Sequence, residues 1–197
     1  MPCIDPVAGM EPEALGPELG RVLVTLAKSS IERGLESHSK PAADLDDYPP
    51  QLRLARASFV TLTLGQELRG CIGSTEAHRP LAIDVFENAL AAAFHDPRFA
   101  PLRREELPGL GVSVSVLSPL SPLRFSGEPA LLAQLRPGID GLLIEQGQER
   151  ATYLPAVWAQ LPEPALFLRE LKRKAGIAVG GTQALRAWRY TVESFSA

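Results

Sequence analysis

The stretch SFVTLTLGQELRGCIGS, residues 58–74, predicts an antiparallel β-hairpin. The range 56–64 is rich in β-branched residues, and its apolar residues alternate with others as in a strand that buries one face. Gly65 and Gln66 can form a tight turn, after which residues 68–73 would return antiparallel to the first strand. The second strand of the hairpin then contains a cysteine enclosed by glycines.

That cysteine is a candidate reactive thiol. Residues two apart in a strand point to the same side, so Arg69, Cys71 and Gly73 would share one face. A fixed positive charge near the sulfur favours the thiolate, which is the nucleophilic form of cysteine. Gly70 and Gly73 permit backbone angles or close approaches that side chains would forbid. If the chain turns at Gly73, its exposed N–H groups, with Ser74 beside them, can hold an anion or an oxyanion.

A purely structural explanation of the same stretch stays open. If the turn has two residues, Cys71 pairs with Val60 and Arg69 pairs with Leu62 across the hairpin. These apolar neighbours would bury the sulfur and oppose the effect of the arginine. Free cysteine is also among the residue types most often buried in protein cores. Cys71 is therefore either a reactive thiol or a core residue.

The rest of the chain alternates predicted helices and strands. Helices are predicted over 13–35, over 80–94 with Asp96 and Pro97 ending the helix, over 129–135, and in PAVWAQL and PALFLRELKRKAG. Strands are predicted over 110–120, in a hairpin around Gly147 and Gln148, and in the closing segment AWRYTVESF. Because the order is not a strict β–α–β alternation, the sequence predicts an α+β fold with a mainly antiparallel sheet packed with helices.

One domain with an amino-terminal tail is expected. A chain of 197 residues is long enough for one sizeable domain but short for two independent ones. Residues 1–12 contain Pro2, Pro6 and Pro12, which predict a flexible tail before a single domain at 13–197. A long polar loop at 36–54 follows the first helix, and loops of that length are often functional.

Composition and charge exclude several classes of function. A formal net charge of −3 removes the electrostatic signature of a nucleic-acid-binding protein. No apolar run approaches the roughly 18 residues that a membrane-spanning helix needs, and the amino terminus lacks a signal-peptide pattern. Cys3 and Cys71 are too few for a disulfide framework. Together these features predict a reduced cytoplasmic protein that binds neither nucleic acid nor membrane.

Other candidate groups give weaker signals. His95 and Asp96 end a helix, and a distant histidine can serve a cysteine as base. A histidine beside an aspartate is more often a helix cap, and Asp96 and Arg98 favour a local ion pair around Pro97. The histidines and cysteines lack the spacing of a zinc site, and no phosphate-binding or dinucleotide motif is present. No metal and no cofactor is predicted.

The segment RELKRKAG concentrates positive charge near the end of a predicted helix. It places Arg169, Lys172, Arg173 and Lys174 on that helix. Positive charge is favourable at a helix carboxyl end, so a solvated face explains the run most simply. An anionic ligand or an acidic partner is the alternative.

Several motifs together resemble one known family. The stretches SFVTLTLGQELRGCIGS, PLAIDVFENALAAAFHDPRFAPLRREEL, VSVSVLSPLSPL, GIDGLLIEQGQERATYLPAVW and FLRELKRKAG occur in this order. They resemble the AMME-syndrome chromosomal-region candidate family, whose bacterial and archaeal members are called AmmeMemoRadiSam system protein A. The similarity runs from about Arg21 to Phe195. The motif LRGCIG, residues 68–73, is highly specific to this family.

The resemblance implies an α+β fold with a larger and a smaller lobe around a cleft at the LRGCIG motif. Its motif DPRF maps onto residues 96–99, which include Asp96 and Arg98, and its motif KAG maps onto residues 174–176, which begin with Lys174. His95 is not part of the family pattern. The family's activity is not established, and its genomic association is with a Memo-type protein resembling extradiol dioxygenases and with a radical S-adenosylmethionine protein.

Two hypotheses follow. In the first, the protein is an enzyme or a component of one, in which Cys71 is nucleophile or transient carrier and Arg69 tunes the thiol or holds an anionic substrate. The binding residues of this site would be Gly70, Gly73, Ser74, Asp96, Arg98 and Lys174. In the second, the protein is a non-catalytic module that docks a Memo-like or radical S-adenosylmethionine partner through the cleft, the 36–54 loop or the basic helix.

Overall fold

A computed structural model describes residues 14–36, 44–177 and 184–196 of the protein. The helices are α1 Gly16–Glu36, α2 Leu81–Phe94, α3 Glu128–Leu132 and α4 Pro164–Ala175. The strands are β1 Ser58–Leu64, β2 Glu67–Gly73, β3 Leu110–Leu117, β4 Ser121–Leu123, β5 Gly141–Gln146, β6 Glu149–Tyr153, β7 Arg186–Tyr190 and β8 Val192–Ser196. Four short 3₁₀ helices are Leu45–Asp47, Pro50–Arg53, Arg104–Gly109 and Pro155–Ala159.

The strands form two antiparallel sheets. The first has the order β2-β1-β3-β8 and the second has the order β4-β7-β5-β6. Helices pack on one face of each sheet, so the predicted α+β class with antiparallel pairing is confirmed. We call the first sheet with α1 and α2 the first lobe, and the second sheet with α3 and α4 the second lobe.

Each lobe has its own hydrophobic core. In the first lobe, α1 and α2 cover the face of the sheet that carries Val60, Leu62 and Val114, all fully buried. The strict alternation in β1 and β3 produces this apolar face, since every second side chain points towards the helices. In the second lobe, the ring of Phe167 on α4 stacks on Trp158 at a centroid distance of 3.7 Å.

The closing segment differs from its prediction as one strand. Residues 186–190 pair in the second sheet, whereas residues 192–196 pair with β3 in the first sheet. Thr191 is the break, because its N–H donates to Ser118 Oγ at 2.9 Å and its carbonyl accepts from the Ser118 N–H at 2.9 Å. Ser118 is also the point where the chain leaves β3 for β4, so the two crossings between lobes lie side by side.

A small third cluster lies between the two sheets. Its buried members are Ala57, Leu117, Leu143 and Tyr190, and we call it the interlobe cluster. Phe59 from the first sheet packs against it. The face of the first sheet that points away from α1 and α2 therefore meets the second lobe at this cluster.

Several local predictions can be compared with the structure directly. Pro80 stands immediately before α2, and Gly176 ends α4 in the left-handed region with φ 75°. The segment PAVWAQL forms a 3₁₀ helix at Pro155–Ala159. The predicted tail at 1–12 and residues 37–43 of the long loop lie outside the described residues. Among the helices of the described ranges, none combines the length and apolar character needed to cross a bilayer.

Candidate functional site

A β-bulge in the hairpin decides where Cys71 points. The two-residue turn forms as predicted, since Leu64 pairs with Glu67. The register then shifts by one residue, so that Leu62 pairs with Gly70 and Arg69 is the extra residue. The pairing expected for a regular two-residue hairpin, Cys71 with Val60, is therefore wrong: Cys71 lies opposite Thr61.

The shift places Cys71 on the face of the first sheet that points away from the helices. Its Sγ lies 3.2 Å from Thr61 Oγ1, within hydrogen-bond distance, and the residue is half-buried. Gly70 takes the helix-facing position instead, where a Cβ would lie 2.2 Å from the Ala92 carbonyl oxygen of α2. Gly70 is thus a packing requirement of the strand–helix contact, and the sulfur is not part of the apolar core.

Gly73 has a comparable packing role on the opposite face. A Cβ there would lie 2.4 Å from the Phe59 ring and from the Ser58 carbonyl oxygen. The next N–H, that of Ser74, donates to the same Ser58 carbonyl at 3.0 Å. Because inward and outward main-chain groups alternate in an antiparallel strand, the N–H of Gly73 points away from β1 like that of Cys71.

The main chain of Cys71 is held by two side chains of the DPRF motif. β2 is an edge strand, and the Cys71 N–H that faces outward donates to Asp96 Oδ2 at 2.8 Å. The Cys71 carbonyl accepts from Arg98 Nη2 at 3.2 Å. Arg98 also binds the carboxylate of Asp96 through Nε at 3.0 Å and Nη2 at 2.7 Å. We call this pair the Asp96–Arg98 clamp, and it occupies the place of a neighbouring strand.

The two side chains of the clamp carry opposite charges. Hydrogen bonds from the Arg98 side chain, and from the backbone N–H groups of Cys71 and Arg98, hold the pKa of Asp96 far below its ordinary range despite its burial. The hydrogen bond to Asp96, together with its negative charge, raises the pKa of Arg98. Arg98 therefore stays cationic against the main chain of Cys71, and half of its side chain, 53%, is exposed.

Arg69, the predicted tuning residue, has another partner. Its Nε donates to Glu106 Oε1 at 2.7 Å, and its Nη2 donates to Glu106 Oε2 at 3.2 Å and to the Ala100 carbonyl at 2.9 Å. This bidentate pair lowers the pKa of Glu106. The guanidinium of Arg69 is thus largely neutralised. It lies on the Phe99 ring at 5.9 Å, and Arg98 lies on the same ring at 5.4 Å.

The remaining predicted site residues lie in two parts of the fold: Ser74 and His95 in the first lobe, and Lys174 in the second. Ser74 hydrogen-bonds the N–H of Glu76 at 3.1 Å and so shapes the turn after β2. Lys174 lies in the second lobe, where its Nζ donates to the Thr152 carbonyl at 3.0 Å and lies 5.0 Å from the Tyr153 ring centroid. The backbone N–H of His95 caps α2 by donating to the Ala91 carbonyl at 2.8 Å.

Sequence reasoning missed a buried polar network beneath the site. Oδ2 of the fully buried Asp84 accepts from the N–H and Oγ of Ser58 at 2.9 and 2.6 Å, and from Asn88 at 2.9 Å. Arg79 donates to the other oxygen, Oδ1, at 2.7 Å. Polar residues at 84 and 88, four apart in a helix whose only other polar residue is Glu87, were the available signal. Thr61 and Glu106 had none, because their roles depend on the bulge and on a distant loop.

Metal ligation finds no support in the parts of the chain that are described. In residues 14–36, 44–177 and 184–196, no three histidine, cysteine, aspartate or glutamate side chains converge closely enough to hold an ion. The chemistry within reach of Cys71 is that of a thiol beside a hydroxyl and a guanidinium.

Fold and site together define a class: two-sheet α+β proteins in which a clamped edge strand presents a cysteine. The chain belongs to the AMMECR1 family, whose model matches residues 24–195, so the resemblance noted in the sequence is confirmed. It is 41% identical over 161 residues to a protein of Methanothermobacter thermautotrophicus, covering 80% of this chain and 82% of that one. It is 33% identical over 198 residues to a protein of Thermofilum pendens, covering 92% and 91%.

A solved structure has the same fold. The crystal structure of the uncharacterized protein PH0010 from Pyrococcus horikoshii superposes with a TM-score of 0.79 and 31% sequence identity, covering 92% of each chain. The two-lobe arrangement is thus shared with an experimentally determined relative.

Proposed function

We propose that this protein is a cytoplasmic thiol-dependent enzyme, or the thiol-bearing component of one, and that Cys71 is its reacting group. The observation that carries the proposal is the Asp96–Arg98 clamp. It binds both main-chain groups of Cys71 while the Sγ lies beside Thr61, on the face of the sheet that points away from α1 and α2. A cysteine held in this way is positioned rather than merely packed.

Arg98 is the cation in this proposal, and Arg69 has a supporting role. The guanidinium of Arg98 contacts the Cys71 carbonyl and keeps its charge, so it favours the thiolate. Arg69 is bound to Glu106 and instead fixes the loop that carries Phe99. The outward N–H of Gly73 offers a hydrogen-bond donor to the carbonyl or anionic oxygen of a substrate.

Alkylation of Cys71 at a fixed pH tests the proposal. In a Cys3→Ser variant, Cys71 is the remaining thiol. We expect iodoacetamide to label the folded protein at pH 7 at least as fast as it labels the urea-unfolded protein, because the thiolate is the reacting form. Arg98→Lys should slow the labelling of the folded protein about three-fold or more, since lysine cannot reproduce the fork of the guanidinium.

Arg103→Lys is the matched control, because Arg103 belongs to the same loop and 80% of its side chain is exposed. It should leave the labelling rate unchanged. Labelling that occurs only after unfolding would contradict the proposal.

A second function, a module that binds a Memo-like or radical S-adenosylmethionine partner, is favoured by the surface of α4. Arg169 and Arg173 are largely exposed and share one carboxylate, that of Glu170. The two functions differ in what Cys71→Ser does. The readout is complementation of a strain that lacks the parent protein. Failure of a folded Cys71→Ser variant to complement supports the enzyme. Full complementation by Cys71→Ser, together with failure of Arg169→Glu/Arg173→Glu, supports the module.

A further inference from the structure

The two lobes are connected by a short pair of adjacent crossings. The chain leaves the first lobe after β3 at Ser118 and returns to it through Thr191. These two residues are joined by two hydrogen bonds of 2.9 Å. Packed bodies that are joined at one narrow place can rotate about it as about a hinge.

The apolar cluster between the lobes is smaller than the core of either lobe. Among the described residues, the interlobe cluster has four buried members with five partly buried residues packed against it, whereas each lobe has a larger core of its own. The lobes therefore keep their internal packing if the cluster slides or opens.

An ion pair joins the lobes away from the crossings. Glu76, in the turn between β2 and α2, binds Arg150 on β6 of the second sheet. The turn is held in shape by Ser74, whose Oγ accepts from the Glu76 N–H, and by His78, whose Nδ1 lies 2.9 Å from the Glu76 carbonyl oxygen. Both members of the ion pair are partly exposed, Glu76 by 57% and Arg150 by 37%.

Cys71 lies close to the interlobe cluster. Phe59 and Gly73 form the neighbouring cross-strand pair on the same face as Thr61 and Cys71. Same-face residues are separated by about 7 Å along a strand, and Phe59 packs on the interlobe cluster. The Sγ therefore lies about one residue pair away from the place where the second lobe meets the first sheet.

We propose that the second lobe is a movable cover for Cys71, hinged at Ser118 and Thr191 and latched by the Glu76–Arg150 ion pair. As a form of regulation it rests on the proposed function of Cys71. An exposed ion pair biases an equilibrium by only about two- to five-fold, so the latch opens and closes readily. Salt screens such a pair and favours the open state.

Labelling with two reagents of different size tests the latch. In the Cys3→Ser background we expect Glu76→Gln and Arg150→Gln each to increase the rate with a polyethylene-glycol maleimide about two- to five-fold, and the rate with iodoacetamide much less. Addition of 0.5 M NaCl, about five times the ionic strength at which the Debye length is about 10 Å, should accelerate the parent protein but not the variants. The exchanged pair Glu76→Arg/Arg150→Glu should restore the slow rate.

Glu145→Gln is the matched control, because it removes an ion pair with Arg186 that lies within the second sheet. It should change neither rate. Equal effects of Glu76→Gln on both reagents, or no effect on either while Cys71 labels, overturn the latch.

A readout that does not use Cys71 separates the two proposals. Leu68 and Ile139 are exposed residues of the first and second lobe. Spin labels at Leu68→Cys and Ile139→Cys, in a Cys3→Ser/Cys71→Ser background, should give a longer or broader distance distribution in Glu76→Gln. An unchanged distribution overturns the latch. An unreactive Cys71 with a changed distribution overturns the proposed function and supports the latch.

Discussion

At the scale of single residues, Asp96 and Arg98 replace a missing strand. The outward N–H and carbonyl of Cys71 would otherwise be open on an edge strand, where such groups pair with other chains. The carboxylate of Asp96 accepts from the N–H and the guanidinium of Arg98 donates to the carbonyl, so both groups are satisfied. The side chain of Asp96 is 2% exposed, which makes its charge dependent on Arg98.

Asp96→Asn should destabilise the protein in a way that depends on pH. Because the folded pKa of Asp96 lies far below the unfolded value of about 3.9, its stabilisation is complete above that value. It is lost as the pH falls from about 4 through the folded pKa. We expect the difference in unfolding free energy between parent and variant to be constant from pH 7 to pH 5 and to shrink below pH 4, measured by urea denaturation.

Asp46→Asn provides the comparison for this prediction. The Asp46 side chain is 89% exposed and bonds to Arg53 on the surface. Its substitution should change stability little at any pH. A difference for Asp96→Asn that grows on acidification would contradict the role of the clamp.

At the scale of elements, the bulge in β2 allows one strand to place Gly70 and Cys71 on opposite faces of the sheet, as packing requires. Gly70 must lie against α2, where there is no room for a side chain, and Cys71 must point to the opposite face. The extra residue at Arg69 brings both into register with Leu62 and Thr61. The contact between β2 and α2 thereby determines the orientation of the thiol.

Gly70→Ala should therefore be among the most destabilising small substitutions in this chain. The added methyl would lie 2.2 Å from the Ala92 carbonyl oxygen, so strand or helix must shift. We expect a loss of about 3 kcal/mol in unfolding free energy, at the upper end for overpacking, measured by urea denaturation.

Gly109→Ala is the matched control for the same substitution. Its Cβ would meet only Leu64 at 3.8 Å, an ordinary contact. We expect a change within about 0.5 kcal/mol. Equal effects of the two substitutions would show that the contact between Gly70 and α2 is not tight.

At the scale of the whole molecule, two cores share one small interface. Phe167 is fully buried in the second core, and Phe86 is almost fully buried in the first. Truncation of a core phenylalanine to alanine costs about 3–5 kcal/mol. That loss should fall mainly on the lobe that contains it, because the interlobe cluster transmits little of it to the other.

Phe167→Ala should thus unfold the second lobe first. Trp158, which stacks on Phe167, reports that lobe by fluorescence, and amide hydrogen exchange of Val60 and Val114 reports the first sheet. We expect the fluorescence transition at a lower urea concentration than the loss of amide protection. Phe86→Ala should reverse the order, and coincident transitions in both variants would mean that the lobes unfold as one unit.

Local patterns were sufficient for most elements of this fold. The hairpin at 58–74, α2 and the hairpin of β5 and β6 are each specified by alternation, turn residues or helical spacing within a short segment. The closing strand was predicted as one element because its alternation is continuous. Its division at Thr191 depends on hydrogen bonds to Ser118, which lies 73 residues away.

The candidate site likewise depends partly on local sequence and partly on tertiary contacts. Sequence alone determined which residues are candidates for the site, among them Arg69, Cys71, Asp96 and Arg98, since residue type and motif are local properties. Only the tertiary structure decided their partners: Arg98 with Cys71, and Arg69 with Glu106, which lies 37 residues further on. The physical reason is that a one-residue bulge reverses the face of every side chain beyond it, and packing between β2 and α2, rather than any neighbouring residue, places that bulge.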